Sequence, residues 1–188
     1  LTSIALLLSA CVEKKGEAVK ANLDIVPIPQ TMIVNSIEDG FILNDNTVIV
    51  YNDEANQFNA EFLQSYLKNI FKKDLKVVSQ AETNSINFNM VDASKCEELG
   101  LVNDNEAYLL SVSIDKIDIY AVDAAGIFYG IQTLIQMMPN DIYSDNANKI
   151  AEVDIPCMNI NDNPRFKYRG LMLDCSRTFF DTEYIKHL

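Results

Sequence analysis

A charged residue interrupts an apolar stretch near residue 170 of the 188-residue chain, in the sequence Tyr168-Arg-Gly-Leu-Met-Leu-Asp174. The stretch has the composition of a β-strand, and Arg169 lies inside it. An unpaired guanidinium in an apolar setting is costly, because burial removes its water without replacing the hydrogen bonds. Arg169 therefore requires a carboxylate or a polar ligand as its partner.

A second candidate for chemistry is Cys11, which follows a short apolar run. The run is too short to cross a bilayer, which takes about 20 residues. The sequence Leu8-Ser9-Ala10-Cys11 resembles a bacterial lipobox, in which the Cys thiol is lipidated, and a charged tether follows it. Residues 1–23 are thus predicted to be a lipoprotein signal and tether that hold the protein on a membrane surface. The alternative is an incidental cysteine after a hydrophobic stretch.

The other cysteines do not form a metal-binding pattern. No Cys-x-x-Cys occurs, and the single histidine is His187, so a zinc site lacks ligands at the usual spacing. We expect no metal and no cofactor. Cys96, Cys157 and Cys175 are an odd number, which favours buried thiols and leaves one disulfide open in an oxidising compartment.

The charge balance excludes one class of partner. With 27 acidic and 15 basic residues, the formal net charge is −12. A polyanion would be repelled, so nucleic acid is not expected to bind.

The region before residue 161 is expected to position the candidate residues, and it has the pattern of an α+β domain. Apolar residues at intervals of three and four predict a helix over 54–72, capped by Asn52 or Asp53, and another from Asp123 to residue 138. Alternation on both sides of residues 115–116 predicts a hairpin. We therefore expect an α+β domain over residues 24–160, a mostly antiparallel sheet with two helices.

A turn-rich sequence, Asn161-Asp-Asn-Pro164, suggests a domain boundary. After it come one predicted strand, over 168–174, and the start of a helix at Asp181. These cannot form a domain alone, because a parallel partner strand requires a crossover that is absent here. The sequence is thus expected to stop inside a second domain.

Two sets of residues resemble a known family. The sequences Ala107-Tyr-Leu-Leu-Ser-Val, Ile119-Tyr-Ala and Ala125-Gly-Ile-Phe-Tyr-Gly-Ile-Gln-Thr-Leu-Ile-Gln resemble the non-catalytic N-terminal domain of family 20 glycoside hydrolases, the β-N-acetylhexosaminidases. The sequence from Pro164 to Arg177, followed by Phe179-Phe180, resembles the first strand and loop of that family's catalytic barrel. The resemblance implies that residues 161–188 are the truncated start of a (β/α)8 TIM barrel.

The resemblance also implies an activity. The family hydrolyses terminal N-acetylglucosamine or N-acetylgalactosamine residues of glycans by a retaining, substrate-assisted mechanism, in which the substrate's acetamido oxygen attacks the anomeric carbon. Its catalytic Asp-Glu pair would lie beyond Leu188. We therefore expect no catalytic residue within this chain, and no hydrolysis by the 188 residues alone.

Within the chain, the resemblance implies that Arg169 binds ring hydroxyls of the terminal sugar, with an ion pair as the alternative role. A guanidinium offers a planar fork of donors suited to vicinal hydroxyls. Asp174 is a second candidate sugar ligand, and its alternative is an ion pair with Arg169 or Arg177. Thr178 stands where family members often have histidine, and Tyr129 is interpreted as packing.

A second function belongs to a different class: a surface glycan-binding lipoprotein without catalysis. The chain has no Trp. This weighs against a binding module, since sugar-binding faces usually expose aromatic platforms, although Tyr and Phe can replace Trp.

Overall fold

A computed structural model of the protein describes residues 17–144 and 147–186. Cys11, the predicted signal, most of the tether and His187 lie outside these residues. The strands are β1 (Glu17–Lys20), β2 (Thr31–Leu43), β3 (Val48–Tyr51), β4 (Lys76–Val78), β5 (Ser85–Met90), β6 (Tyr108–Val112), β7 (Lys116–Ala121) and β8 (Ile150–Asp162). The helices are α1 (Gln57–Ile70), α2 (Ala93–Leu99), α3 (Ala124–Gln136) and α4 (Thr182–Lys186).

The strands form one mixed sheet in the order β1-β8-β6-β7-β5-β3-β4, with β2 paired to β8. The α+β class is confirmed, and so is the β6–β7 hairpin. The prediction of a mostly antiparallel sheet is wrong, because β3 runs parallel to both β4 and β5, β5 to β7, and β1 to β8. For the β3–β4 pair the physical reason is the connection through α1, since a helical crossover returns the chain to the end where the previous strand began.

Both predicted helices are present, and their caps explain where they begin. The Asp53 carboxylate accepts the Ala55 N–H at 2.8 Å and starts a 3-10 turn that leads into α1. Asp123 accepts the Gly126 N–H at 2.7 Å and starts α3. The short helix α2 was not predicted. Asp92 caps it through the Lys95 N–H, and Gly100, at φ 67°, ends it in the left-handed conformation that glycine adopts without strain.

Helix α3 packs closely on the sheet at its glycines. A Cβ on Gly130 would lie 2.5 Å from Ile119 Cγ2 on β7 and 3.3 Å from Tyr108 Cδ2 on β6. Gly130 therefore permits close packing of that helix face on the sheet. The core lies between the sheet and the helices α1 and α3, and includes Phe41, Ile49, Leu63, Phe88, Leu110, Ile119, Ile131 and Ile155.

Residues 163–181 contain neither helix nor strand. The strand predicted over 168–174 is therefore wrong for the described structure. Tyr168 is 91% exposed and Met172 is 90% exposed. The physical reason is the lack of a neighbour. A strand forms when its N–H and C=O groups pair with another strand, and none of the described strands lies beside this segment. The helix predicted from Asp181 is present as α4.

No helix in the described part of the chain is long and apolar enough to cross a membrane.

Candidate functional site

A cleft of about 800 Å³ lies between helix α3, the loop before β2 and the segment after β8. Helix α3 contributes Tyr129, Gln132 and Gln136 to its lining. Such a volume falls within the range of small-molecule sites, which are commonly 300–1,000 Å³. The cleft brings Arg169 together with residues far from it in the sequence.

Side-chain amides hold the loop wall of the cleft in place. The Gln136 amide accepts the Val26 N–H at 2.9 Å and donates to the Val26 carbonyl at 2.9 Å. On the other side, the Gln30 N–H donates to Asp162 Oδ1 at 3.1 Å and its amide to Asn163 Oδ1 at 2.7 Å. The loop is thus hydrogen-bonded to α3 on one side and to the end of β8 on the other.

Arg169 has three hydrogen-bond partners in this cleft. Its Nη2 donates to Glu106 Oε2 at 2.9 Å and to the Tyr129 hydroxyl at 3.2 Å, and its Nη1 donates to the Phe166 carbonyl at 2.7 Å. The guanidinium also lies 5.7 Å from the Tyr129 ring centroid, within range of a cation–π interaction. The hydrogen bonds with Glu106 and then Tyr129 raise the pKa of Arg169 above its ordinary value. The required carboxylate is thus supplied by Glu106.

Sequence reasoning missed Glu106, and it interpreted Tyr129 only as packing. Glu106 lies in the loop before β6 and has φ 66°, a left-handed conformation that residues other than glycine rarely adopt. Its N–H donates to both carboxylate oxygens of Asp123 at 3.2 Å. No spacing rule links positions 106, 129 and 169, so only the fold could bring them together.

Asp174 lies apart from the cleft. Its exposed carboxylate accepts the Ser176 N–H at 2.8 Å, and hydrogen bonds with the Ser176 side chain and then its backbone lower the pKa of Asp174. Within the described residues, Asp174 forms no ion pair with Arg169 or Arg177. Its role as a sugar ligand stays a prediction, as does that of Arg169.

The three described cysteines are free thiols, so no disulfide forms among them. Cys96 is buried, Cys157 is half-buried and Cys175 is exposed. Burial raises the pKa of the Cys96 and Cys157 thiols. The expectation of buried thiols is wrong for Cys175, because it lies in the segment without a pairing partner. The described residues contain no cluster of His, Cys, Asp and Glu suited to a metal ion.

Known sequences place this fold in a family. A family model described as glycosyl hydrolase family 20, domain 2, matches residues 22–163. A β-hexosaminidase of Porphyromonas gingivalis is 30% identical over 187 residues, which cover 96% of this chain and 23% of that protein. An N,N'-diacetylchitobiase of Vibrio harveyi is 38% identical over 79 residues, 42% of this chain and 8% of that protein. The chain thus spans about a quarter of the length of the P. gingivalis relative.

Solved structures share the fold. A family 20 exo-β-N-acetylglucosaminidase from V. harveyi, in complex with N-acetylglucosamine, aligns with a TM-score of 0.68 and 28% identity over 87% of this chain and 22% of that one. A family 20 β-N-acetylhexosaminidase from Streptomyces coelicolor aligns with a TM-score of 0.71 and 24% identity, over 87% and 31%. The chain therefore belongs to glycosyl hydrolase family 20, with residues 22–163 matching domain 2 of that family.

Proposed function

We propose that the full-length protein is an exported β-N-acetylhexosaminidase that releases terminal N-acetylglucosamine or N-acetylgalactosamine from glycans. The observation that carries this proposal is the family match over residues 22–163, together with relatives named as β-hexosaminidases and a chitobiase. In the proposed mechanism the substrate's 2-acetamido group is the nucleophile, and a carboxylic acid outside this chain protonates the leaving group.

The test compares two lengths of the protein. The full-length protein should hydrolyse 4-nitrophenyl N-acetyl-β-D-glucosaminide with retention, and the 188-residue chain should not. The matched 4-nitrophenyl β-D-glucoside, which lacks the acetamido nucleophile, should react at least about a hundredfold more slowly, because the enzyme then loses its intramolecular nucleophile. Equal rates on both substrates would contradict the substrate-assisted mechanism.

Within the proposed enzyme, Arg169 and Asp174 are candidate sugar-binding residues on the start of a (β/α)8 barrel formed with the polypeptide that follows. Three of the five guanidinium N–H groups of Arg169 donate within the protein, which leaves two for a ligand. The Arg169→Ala variant of the full-length enzyme should therefore have a lower kcat/KM than the wild type. Unchanged kcat/KM would exclude Arg169 as a sugar ligand.

Attachment to a membrane surface through lipidated Cys11 is part of the same proposal. It is supported by the lipobox-like residues 8–11 and the charged tether. In a bacterial host, the full-length protein should incorporate labelled palmitate, and Cys11→Ser should not. Equal incorporation by both forms would exclude Cys11 as the lipidated residue.

A glycan-binding module without catalysis is the second candidate. It is favoured by the cleft beside helix α3, which combines the aromatic rings of Tyr129 and Phe166 with the donors of Arg169. Binding of N-acetylglucosamine oligomers by a full-length protein that hydrolyses none of them would support this candidate over the enzyme.

A further inference from the structure

The face of the sheet that lies away from the helices carries a group of polar side chains on two central strands. The side chains of β5 and β7 that pack towards the helices are apolar and fully buried: Ile86, Phe88, Ile117 and Ile119. Because successive side chains of a strand point to opposite faces, the other face carries Asn87, Asn89, Lys116, Asp118 and Tyr120. Asn87 pairs with Asp118 across the strands, and Asn89 with Tyr120. We call these five residues the amide patch, and it lies on the opposite side of the sheet from the cleft beside α3.

The residue types of the amide patch are unusual for their place in the sheet. Strand β5 lies between β3 and β7, and β7 lies between β5 and β6, so neither is an edge strand. Asparagine and aspartate are depleted in strands, which favour β-branched and aromatic residues. Asp118 is only 8% exposed, and the burial of a carboxylate costs free energy. Because local choices that oppose the fold are expected at functional sites, Asn87, Asn89 and Asp118 indicate a role other than folding.

The Asp118 carboxylate fixes the orientation of both amides. Its Oδ1 accepts the Asn87 Nδ2 at 3.0 Å and the Asn89 Nδ2 at 3.2 Å, and its Oδ2 forms an ion pair with Lys116 Nζ at 3.0 Å. Because a carboxylate can only accept, each amide turns its nitrogen towards Asp118 and its oxygen away. Neither amide oxygen accepts a hydrogen bond from a described residue, and neither is among the buried polar atoms without a partner. The amide patch therefore presents two fixed acceptor oxygens to a ligand.

The Tyr120 side chain adds an aromatic ring to the amide patch. The half-buried ring packs beside a small apolar cluster that contains Cys96 of α2 and Leu109 of β6, so its position is fixed. Burial and then the charge of Asp118 raise the pKa of Tyr120, so its hydroxyl stays protonated at neutral pH. An uncharged phenol thus lies beside the two amides.

The chemistry of the amide patch favours a neutral ligand that is rich in hydroxyl groups. Lys116 balances the charge of Asp118 within the patch, and the net charge of −12 repels an anionic ligand. Amide oxygens accept hydrogen bonds from hydroxyl and acetamido N–H groups, and an aromatic ring packs against the apolar C–H face of a sugar. A glycan chain offers all of these groups on every unit.

We propose that the amide patch is a glycan-binding site, separate from the cleft and on the opposite face of the sheet. Its ligand is a neutral chain of N-acetylhexosamine units. The amide oxygens of Asn87 and Asn89 accept hydrogen bonds from the sugar, and the Tyr120 ring packs on its C–H face. The geometry of the site comes from the sheet alone, whereas the choice of N-acetylhexosamine as the sugar rests on the proposed function.

The test is a titration of the 188-residue chain with the N-acetylglucosamine hexamer, followed by heteronuclear NMR. The hexamer should shift the side-chain amide signals of Asn87 and Asn89 and the backbone signal of Tyr120 together. The double variant Asn87→Thr/Asn89→Thr removes both acceptor oxygens, while threonine suits a strand and its hydroxyl can donate to Asp118. This variant should keep its thermal unfolding temperature and bind the hexamer about tenfold more weakly, because two hydrogen bonds are lost. Unshifted patch signals at millimolar hexamer, or wild-type affinity in the double variant, would overturn the proposal.

The matched control is Asn35→Thr, the same substitution at an exposed position of strand β2 outside the amide patch. It should leave the affinity for the hexamer unchanged, and an equal weakening by Asn35→Thr would show that the patch is not the site. Tyr120→Leu keeps an apolar side chain beside Cys96 but loses the ring, so it should also weaken binding. If the double variant fails to fold, Asn89→Thr alone should weaken binding about threefold, and unchanged affinity in that variant contradicts the proposal.

This inference and the proposed function can fail separately. The titration needs no hydrolysis, so an inactive full-length protein would contradict the proposed function while binding at the amide patch still stands. Conversely, an active full-length protein whose patch signals do not respond to the hexamer would overturn this inference alone. Shifts confined to the side-chain amides of Gln132 and Gln136 would place the hexamer in the cleft beside α3 and would likewise overturn the inference.

Discussion

The sheet domain and the segment after it each contain an apolar run with the composition of a strand, but only the run in the domain is a strand. Tyr108-Leu-Leu-Ser-Val112 is strand β6, whereas Tyr168-Arg-Gly-Leu-Met-Leu-Asp174 is not a strand. Leu110 is fully buried and Leu171 is 81% exposed. Strand β6 has β7 on one side and β8 on the other, but no described strand lies beside residues 168–174. The comparison teaches that an apolar run becomes a strand only when the fold supplies a neighbour.

The largest expected difference between the two regions comes from removing the same side chain in each. Leu110→Ala should lower the free energy of unfolding by about 3 kcal/mol, because it leaves a cavity in a core that cannot fully relax. Leu171→Ala should change it by less than about 0.5 kcal/mol, as an exposed substitution does. Urea denaturation of the 188-residue chain measures both. A similar loss in the two variants would mean that residues 168–174 are packed in solution.

A buried phenol gives the sheet domain a dependence on alkaline pH. Burial raises the pKa of Tyr108 to about 12, and its hydroxyl lies 2.6 Å from Thr133 Oγ1. The folded pKa lies above the unfolded value near 10, so the neutral phenol contributes to the stability of the folded state. This contribution is complete below pH 10 and is lost as the pH rises towards 12.

For Tyr108 the loss should be about 2 kcal/mol, and Tyr108→Phe should reduce the decline of unfolding free energy above pH 10. Denaturation series from pH 8 to 11.5 measure it. An identical pH profile in wild type and Tyr108→Phe would show that Tyr108 titrates alike in the folded and unfolded chains.

A glycine-to-alanine substitution, which adds one methyl group, compares the packing of the two regions. Gly130→Ala should destabilise by about 1.5 kcal/mol, since overpacking against Ile119 exceeds the gain in helix propensity. A Cβ on Gly170 would lie 3.7 Å from the Tyr168 hydroxyl and 3.9 Å from Tyr168 Cζ, so Gly170→Ala should be neutral or slightly stabilising. Thermal unfolding of both variants measures this, and a stabilised Gly130→Ala would show that α3 can move away from β7.

The smallest expected difference concerns the aspartates that cap a helix in each region. Asp123→Ala should lower the free energy of unfolding by about 1 kcal/mol, because α3 loses its cap and the Glu106 N–H loses its carboxylate acceptor. Asp181→Ala removes the acceptor of the Tyr184 N–H on α4, a five-residue helix without a buried residue, and should have almost no effect on global unfolding. Equal losses would show that α4 belongs to the same cooperative unit as α3.

Features encoded locally were predicted from the sequence. The starts of both main helices follow from Asp53 and Asp123, and the hairpin follows from alternation around residues 115–116. These depend on residues at most a few positions apart.

Features set by distant residues could not be predicted in this way. The parallel pairing of β3 with β4 depends on where α1 returns the chain, which periodicity does not specify. The candidate site also depends on residues that are distant in the sequence. A need for a carboxylate near Arg169 could be stated from its apolar context, but the choice of Glu106 over Asp174 depends on the loop before β6. Cys175 is likewise exposed because no described strand lies beside its segment, although cysteine is usually a buried residue type.

Strand β8 has a mechanical consequence. Its first half pairs in parallel with β1, which lies within the residues predicted as tether, and its far end at Asp162 leads to the segment after the domain. If the protein is anchored through Cys11, a pull on the polypeptide after residue 163 would load β1 and β8 in opposite directions along their axes. In that geometry their hydrogen bonds bear the force together and not one after another, so the domain would resist stretching between its two ends.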